Sequence, residues 1–292
     1  MLSRFVEHVI YRLSMRAHSP ANASELSHRE ATFSKAGYQH WRRSELESQF
    51  TKFFDVSSLR GRRVLDFGCG SGDLSFFAAS AGAAEVIGTE LSQRDAAQAE
   101  HRRADLGLTN LRIVHETNPS AIGLPDHTVD VLLCFDVLEH IMEYERIVAE
   151  WRRVLAPGGR VLIWWSVYWH PYGHHLQTMI PLPWVHALLN DEALMRVCAK
   201  IYDNPKFRPR IWHFDADGQR VENPYRGVTR FTDLNRLTIK KFERVLRSAG
   251  LVIARRDIQP FTGRRLAWLK RTLVRLRPDF FCSCVAYEIT VP

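Results

Sequence analysis

Five short apolar runs punctuate the first half of the chain: Arg63–Phe67, Glu85–Thr89, Leu111–His115, Val129–Phe135 and Arg160–Trp165. Each is too short for a helix and rich in Val, Ile and Leu, as in strands buried on both faces. Between them the apolar period lengthens to that of helices. Asp73–Ala81 predicts one, closed by Gly82. A second starts at Ser92, with Asp95 three residues on as a variant capping box. A third, from about Glu143 to Leu155, ends at the breaker Pro157-Gly158-Gly159. Strand and helix in alternation predict a parallel sheet. The pattern resumes late in the chain with a helix at Ile239–Ala249, stopped by Gly250, and a strand at Leu251–Ile258. A basic helix around Arg265–Arg275 and a last strand, Phe281–Val291, close it. The expected class is α/β, a seven-stranded, mostly parallel sheet with helices on both faces.

Residues 166–230 break this regularity. They are rich in Trp, His, Pro and Tyr and predict one clear helix, near Trp184–Ile201. An insertion over the edge of the sheet that carries specificity accounts for such a stretch. Ahead of the sheet, Leu2, Phe5, Val6, Val9, Ile10 and Leu13 stand at helical spacing with Arg4, Arg12 and Arg16 among the remaining positions of 1–16, an amphipathic helix. A polar linker, 17–30, and a second helix, about Tyr38–Phe54, follow. The chain therefore divides into an N-terminal helical segment (1–55), a core (56–165), a substrate cap (166–230) and a completion of the sheet (231–292). There is no internal repeat.

Composition narrows the class. The 292 residues are 46% hydrophobic and 25% charged, an ordinary globular balance. No apolar run is long enough to span a bilayer, and the arginines within the first apolar stretch argue against a secretory signal. Five scattered cysteines suit reduced thiols and a cytoplasmic protein. Cys282 and Cys284, two apart on a strand, are expected to share one buried face. The net charge of +8 is uneven: between Arg236 and Arg277 the only acids are Glu243 and Asp257. That stretch suits nucleic acid, anionic lipid, an acidic small molecule, or simply water.

The chemistry is concentrated in Val64-Leu65-Asp66-Phe67-Gly68-Cys69-Gly70-Ser71-Gly72-Asp73, a strand running through a glycine-rich turn into a helix. Glycines allow the tight turn and a close approach of backbone to ligand. The spacing differs from the dinucleotide pattern G-x-G-x-x-G, and an acid, Asp66, precedes the loop. A carboxylate there disfavours a pyrophosphate and welcomes an ammonium group. A second acid, Glu90, ends the second strand, where a carboxylate can accept both hydroxyls of a ribose.

Taken together, VLDFGCGSG, VIGTELS, FDVLEH and RVLAPGGRVLI resemble the successive motifs of class I S-adenosylmethionine-dependent methyltransferases, over roughly residues 60–166. The resemblance is to small-molecule members, the ubiquinone-pathway O-methyltransferase group in particular, and implies a Rossmann-like fold and S-adenosyl-L-methionine as cofactor. By position it places Asp66, Gly68 and Gly70 around the methionine moiety and Glu90 at the ribose, with Cys69, Gly72, Leu91, Ala121 and Phe135 as further cofactor-binding residues. In that family an acid of a D-A-x-x-L-P stretch often binds the adenine amino group. The stretch here is Ser120-Ala121-Ile122-Gly123-Leu124-Pro125, so Ser120 stands where the acid would be. Tyr38 and Trp41 resemble the lead-in that covers the cofactor's carboxylate end; a plain core role is the alternative.

Transfer of a methyl group from a sulfonium needs alignment and, for a hydroxyl acceptor, removal of a proton. At the end of the fourth strand stands Asp136-Val137-Leu138-Glu139-His140. His140 is a candidate base, since imidazole titrates near neutrality; ordering of the backbone is the alternative role. If the segment is helical, Asp136, Glu139 and His140 share a face, and the resemblance admits a divalent ion there. In the insertion His170, His174 and His175, preceded by Trp164, Trp165, Tyr168 and Trp169, suit the lining of an apolar pocket, with His170 and His174 as further candidate bases. Three histidines could also hold zinc, but no fourth ligand is evident.

The expected function is methylation of a small-molecule or lipid-like acceptor, at oxygen. Nucleic-acid methylation is the alternative suggested by the basic region, but the fourth strand ends in FDVLEH and not in N/D-P-P-Y, and no Pro-Cys nucleophile stands there. A cofactor-binding subunit without catalysis is a third reading. Both terminal helices combine an apolar stripe with cations and could lie in a membrane interface, on its inner face, or pack on the sheet.

Overall fold

The computed structural model describes residues 2–17, 32–215, 217–261 and 267–292. The chain runs α1 (Leu2–Ala17), α2 (Lys35–Phe53), β1 (Arg63–Phe67), α3 (Asp73–Ser80), β2 (Glu85–Glu90), α4 (Gln93–Asp105), β3 (Leu111–His115) and β4 (Val129–Phe135). It continues through α5 (Tyr144–Val154), β5 (Leu155–Trp165), α6 (Val185–Leu188), α7 (Asp191–Tyr202), α8 (Ile239–Ser248), β6 (Val252–Pro260), α9 (Ala267–Leu276), α10 (Pro278–Phe281) and β7 (Cys282–Thr290). These elements fall into two compact units, one of residues 1–42 and 168–232, the other of 43–167 and 233–292. The N-terminal helix and the insertion thus belong to one unit, where the sequence pattern treats them as two. The polar linker of the sequence reading lies, apart from Ala17, outside the described residues.

The larger unit is a single seven-stranded sheet in the order β3-β2-β1-β4-β5-β7-β6. Strands β1 to β5 pair parallel, while β7 runs antiparallel to both β5 and β6. Successive side chains on a strand point to opposite faces, and each face has its own core. On one, Leu65, Leu132 and Trp165 pack with Trp151 of α5 and Phe242 of α8. On the other, Val64, Leu133 and Trp164 pack with Phe50 of α2 and Leu74 of α3. Strand order reverses between β1 and β4, and in open α/β sheets ligands bind beyond the carboxyl ends of strands at such a point.

Two local expectations give way to bulges. The helix ahead of Pro157-Gly158-Gly159 ends at Val154 as expected, but the breaker falls inside the next strand: β5 begins at Leu155, which pairs with Val129, and resumes pairing at Arg160 opposite Val131. Gly158, at φ 71°, takes the turn that lets the strand continue. On β7, Gln259 faces Cys284 but Pro260 faces Cys282, an extra residue on one side only. Cys282 therefore joins the first core and Cys284 the second, and the two thiols do not share a face.

In the smaller unit, Ile10 of α1 packs with Leu194, Val197, Cys198 and Ile201 of α7. Glu7 pairs with Arg196 at 2.7 Å, and Tyr11 accepts from Asn204 at 2.8 Å. The predicted helix at Trp184–Ile201 is two helices, because Leu189 and Asn190 take extended backbone between them and Asn190 caps α7 by accepting from Ala193 N–H at 2.9 Å.

Candidate functional site

At the carboxyl end of β1 the chain turns through three glycines with positive φ, Gly68 at 73°, Gly70 at 54° and Gly72 at 82°. A Cβ on Gly68 would lie 2.7 Å from a methyl of Val137, so β1 and the turn after β4 can approach this closely only over glycine. A Cβ on Gly70, by contrast, would meet nothing within 4 Å among the described residues. Its amide donates to Glu90 Oε2 at 2.8 Å, and the amide of Ser92 donates to Oε1 at 2.8 Å. Glu90 thereby ties the loop after β1 to the end of β2. Each carboxylate oxygen has a second lone pair, so the group can still accept two hydroxyls. Leu91, next to it, is 51% exposed, an apolar surface beside a polar anchor.

Asp66 is buried, 3% exposed, and accepts from the Ser75 hydroxyl at 2.6 Å. Burial pushes its carboxyl from its ordinary 3.8 up to about 7; the Ser75 bond opposes the shift and the nearby Glu90 charge adds to it. Cys69 is buried too, and its thiol is pushed up by burial and by the charges of Asp66 and Glu90, which makes it packing and not a nucleophile. A buried carboxyl, a second carboxylate and open backbone between them fit the ammonium and ribose of S-adenosylmethionine, which Asp66, Gly70, Glu90 and Leu91 would hold.

This geometry predicts a pH dependence. A carboxyl raised to about 7 is largely protonated in the free protein at mildly acid pH. An ammonium ligand needs it ionised, so cofactor affinity should rise nearly tenfold per pH unit below about 7, with proton release on binding. The folded-state value lies above the unfolded one, so the group's own contribution to stability is complete below about 4. It is lost as pH rises through about 7, which makes thermal stabilisation by cofactor larger on the alkaline side. Calorimetry across pH on the wild type and Asp66→Asn checks this; an equal slope in both would dissociate the effect from Asp66.

Sequence reasoning passed over Asp73. It is buried at the start of α3, receives Arg102 at 2.6 Å and Arg43 at 3.4 Å, and so holds the glycine loop between α2 and α4. Its place directly after the last loop glycine was the available signal.

Ser120 donates its hydroxyl to Glu143, so a carboxylate from the segment ahead of α5 stands at the corner where the expected acid is missing. The turn containing Ser120 and Ala121 is set by Asn118, which accepts from the Ser120 amide at 2.9 Å. Phe135 is 4% exposed, its ring 5.8 Å from that of Phe50 and 5.7 Å from that of Phe54. Its side chain thus belongs to the core.

After β4, Asp136 takes φ 57°, a conformation that costs a residue with a Cβ of order 1 kcal/mol or more and concentrates at functional sites. The following stretch is a single 3-10 turn, Leu138–His140. The helical face that would gather Asp136, Glu139 and His140 does not form. Glu139 is 1% exposed while His140 is exposed, and among the described residues no three His, Cys, Asp or Glu are placed to hold a metal ion. His140 Nδ1 lies 2.7 Å from the Asp233 carbonyl oxygen. A carbonyl only accepts, so Nδ1 carries the proton and the lone pair is on Nε2.

The same loop supplies Asn235, which nothing in its local sequence marks. Its amide donates to the carbonyls of Leu138 at 2.7 Å and Ile141 at 2.8 Å, and its backbone N–H to that of Glu139 at 2.8 Å. Asn235→Ala leaves those buried carbonyls without the side chain, which should cost about 1–3 kcal/mol of stability. As a positioning residue for His140 it should lower kcat with cofactor Kd unchanged, which single-turnover kinetics beside calorimetry would separate.

The side chains of the aromatic run do not share one surrounding. Trp164 and Trp165 alternate on β5 and lie in opposite cores of the sheet. Tyr168, His174 and His186 are buried among themselves, with ring centroids 5.2 Å apart for Tyr168–His186 and for His174–His186. His174 Nδ1 accepts from the Leu176 amide at 2.9 Å, and burial, with neighbouring histidines, drives its value down to about 3. A neutral imidazole whose lone pair is already used cannot act as general base, so that expectation for His174 is corrected. His170 is half-buried and accepts weakly from the Tyr172 amide at 3.4 Å. Tyr38 and Trp41 cluster with each other and with Trp212, Tyr38 lying 5.8 Å and 6.3 Å from them.

With fold and loop in view, comparison with known proteins is direct. Residues 65–163 match the family described as "Methyltransferase domain". An uncharacterised methyltransferase of Mycobacteroides abscessus is 36% identical over 121 residues, 40% of this chain and 45% of that protein. A ubiquinone biosynthesis O-methyltransferase of Pseudomonas fluorescens is 29% identical over 150 residues, 47% of this chain and 62% of that one. The chain thus spans about half the length of these relatives. Among solved structures, an S-adenosylmethionine-dependent methyltransferase from Mesorhizobium loti has the same fold. It shows a TM-score of 0.51 at 18% identity and covers 83% of this chain and 96% of its own. The sheet and its glycine loop define a Rossmann-like α/β protein. Residues 65–163 carry the sequence of a methyltransferase domain, and the sheet has the fold of S-adenosylmethionine-dependent methyltransferases.

Proposed function

We propose that this protein transfers a methyl group from S-adenosylmethionine to a hydroxyl of a small-molecule or lipid-like acceptor. The observation that carries the reading is the loop at the switch point, where Asp66 and Glu90 flank the open backbone of Gly70. The cofactor, when bound, supplies an activated methyl on sulfur. Around it Asp66 would hold an ammonium, Glu90 the ribose hydroxyls, and Leu91 an apolar face. His140, with its Nδ1 proton on the Asp233 carbonyl, would take the acceptor's hydroxyl proton on Nε2. The cofactor would supply the methyl group and keep the electron pair of its carbon–sulfur bond, and His140 would carry away the acceptor's proton, so that the positive charge ends on the imidazole. Similarity to a ubiquinone biosynthesis O-methyltransferase supports oxygen as the acceptor atom. The histidine- and aromatic-rich smaller unit is the part expected to set acceptor specificity, and the buried free cysteines are consistent with a reducing, cytoplasmic setting.

Incubation with methyl-labelled S-adenosylmethionine and a panel of phenolic, polyprenyl-phenolic, amine and RNA acceptors tests this. Label on a phenolic oxygen, lost in Glu90→Ala, is the expected result. Cofactor binding with no transfer to any acceptor would point to a non-catalytic subunit, and transfer to RNA alone would overturn the acceptor class.

A further inference from the structure

Strand β6 and helix α9 of the larger unit carry a feature that methyl transfer does not use. Between the edge strand β6 and α9 lies a groove of about 390 Å³, lined by Arg256, Ile258, Arg271, Val274, Arg275 and Pro278. Its size is that of a small-ligand site. Three guanidinium groups over an aliphatic floor present planar donors to the oxygens of an anion beside a surface that suits hydrocarbon.

Arg256 is held by Glu243 at 2.6 Å. Arg271 and Arg275, one helical turn apart on α9, form no ion pair among the described residues, and like charges at this spacing disfavour each other. The acids nearest in the chain are engaged elsewhere. Asp257 accepts from Gln259 at 2.6 Å, and Asp279 from the Ile239 amide at 2.7 Å.

A second observation selects the source of the anion. Val274 is buried and Leu269 and Leu273 are half-buried, so α9 packs against the protein as helices of this fold do. Yet Trp268 and Leu276 on the same helix are 70% and 72% exposed. At 3.6 residues per turn, Trp268, Arg271, Thr272, Arg275 and Leu276 occupy an arc of about 140°, and all five are exposed. A free phosphate would use the arginines and leave the indole and the leucine in water. A bilayer interface uses both, cations at the headgroups and Trp and Leu at the acyl boundary. Among the described residues no helix is long and apolar enough to cross a membrane, so contact here means lying on the surface.

From this arrangement we propose that the α9–β6 groove binds the phosphate headgroups of an anionic phospholipid surface, with Trp268 and Leu276 inserted beside it. The site stands whether or not the acceptor is lipid-like.

Flotation of the full chain with phosphatidylglycerol vesicles, against phosphatidylcholine vesicles, tests it. The wild type should bind the anionic vesicles at low salt and release at high salt. Each arginine near the surface contributes about fivefold to such binding, so Arg271→Gln/Arg275→Gln should weaken it about 30-fold. Trp268→Ser should weaken it several-fold at unchanged charge. Arg271→Lys/Arg275→Lys should retain most of it. Cofactor binding by calorimetry should be unchanged in all of them, which shows that the fold is kept. Equal affinity of the wild type for neutral vesicles, or no binding at low salt, overturns the proposal. So does full binding by the glutamine pair, which would assign the contact to the exposed Phe5, Val9 and Leu13 of α1. Tight binding of inorganic phosphate or of an oligonucleotide without vesicle binding would replace the membrane with a soluble anion or with nucleic acid.

Discussion

Replacing His140 with alanine is expected to lower the rate of methyl transfer by about 10²–10⁴-fold, the usual worth of a positioned general base. Cofactor affinity should stay within a few-fold of wild type. The ring stands on the turn after β4, at the sheet's switch point, and its Nδ1 is 2.7 Å from a backbone carbonyl that fixes the tautomer. The turn is itself held by Asn235. His140→Gln keeps a polar side chain of similar reach but cannot take a proton, and should be nearly as slow as the alanine variant. Single-turnover measurement at saturating cofactor distinguishes a lost base from lost binding. Wild-type rates in both variants would remove His140 from the chemistry and pass the role to His170. His174 would not inherit it, because its buried ring is already neutral and its Nδ1 accepts a backbone amide.

The sheet was legible because its signals are local. β1, β3 and β4 have the bounds that the apolar runs predict, and Ser92 caps α4 as expected, accepting from the Asp95 amide at 3.3 Å. Burial on both faces leaves a strand few residues but Val, Ile and Leu, and that is readable without a partner. Departures come where the outcome depends on something distant in the chain. Gly158 could end an element or bulge within one, and the pairing of β5 with β4 decides for the bulge. The two cysteines of β7 would share a face on a regular strand; pairing with β6 inserts the extra residue that separates them.

The candidate site divides the same way. Asp66, the glycines and Glu90 lie within one β-α-β unit, and their spacing alone marks them. Asp233 and Asn235 lie about ninety residues beyond the turn they hold, and no local pattern announces a side chain whose partners are that far away. Helical spacing was also misleading at Asp136, Glu139 and His140: three residues at i, i+3 and i+4 share a face only on a helix, and Asp136 in the left-handed region precludes one.

Removing the carboxylate of Glu90 should have the second large effect, on binding and not on rate. Glu90→Ala loses the acceptor for the amides of Gly70 and Ser92, both at 2.8 Å, and the acceptor that two ribose hydroxyls would use. Hydrogen bonds to a charged group are worth about 1.5–3 kcal/mol each. Those to the two amides exist before the cofactor binds, so their loss loosens the loop and lowers stability in the free protein. The ribose contacts are lost only from the complex, and a weakening of cofactor binding on the order of 100-fold, about 3 kcal/mol, is expected from them. Glu90→Gln separates charge from geometry. A carboxamide has one acceptor oxygen, so one of the two backbone amides would face another donor. Geometry then predicts that glutamine recovers little of the affinity, whereas a purely electrostatic role would set glutamine and alanine equal in binding and leave the loop unaltered. Calorimetry for affinity, and thermal unfolding without cofactor for the loop, read the two effects separately. Unchanged unfolding together with near-normal affinity in Glu90→Ala would remove the ribose anchor from β2 and with it the orientation of the cofactor along the switch point.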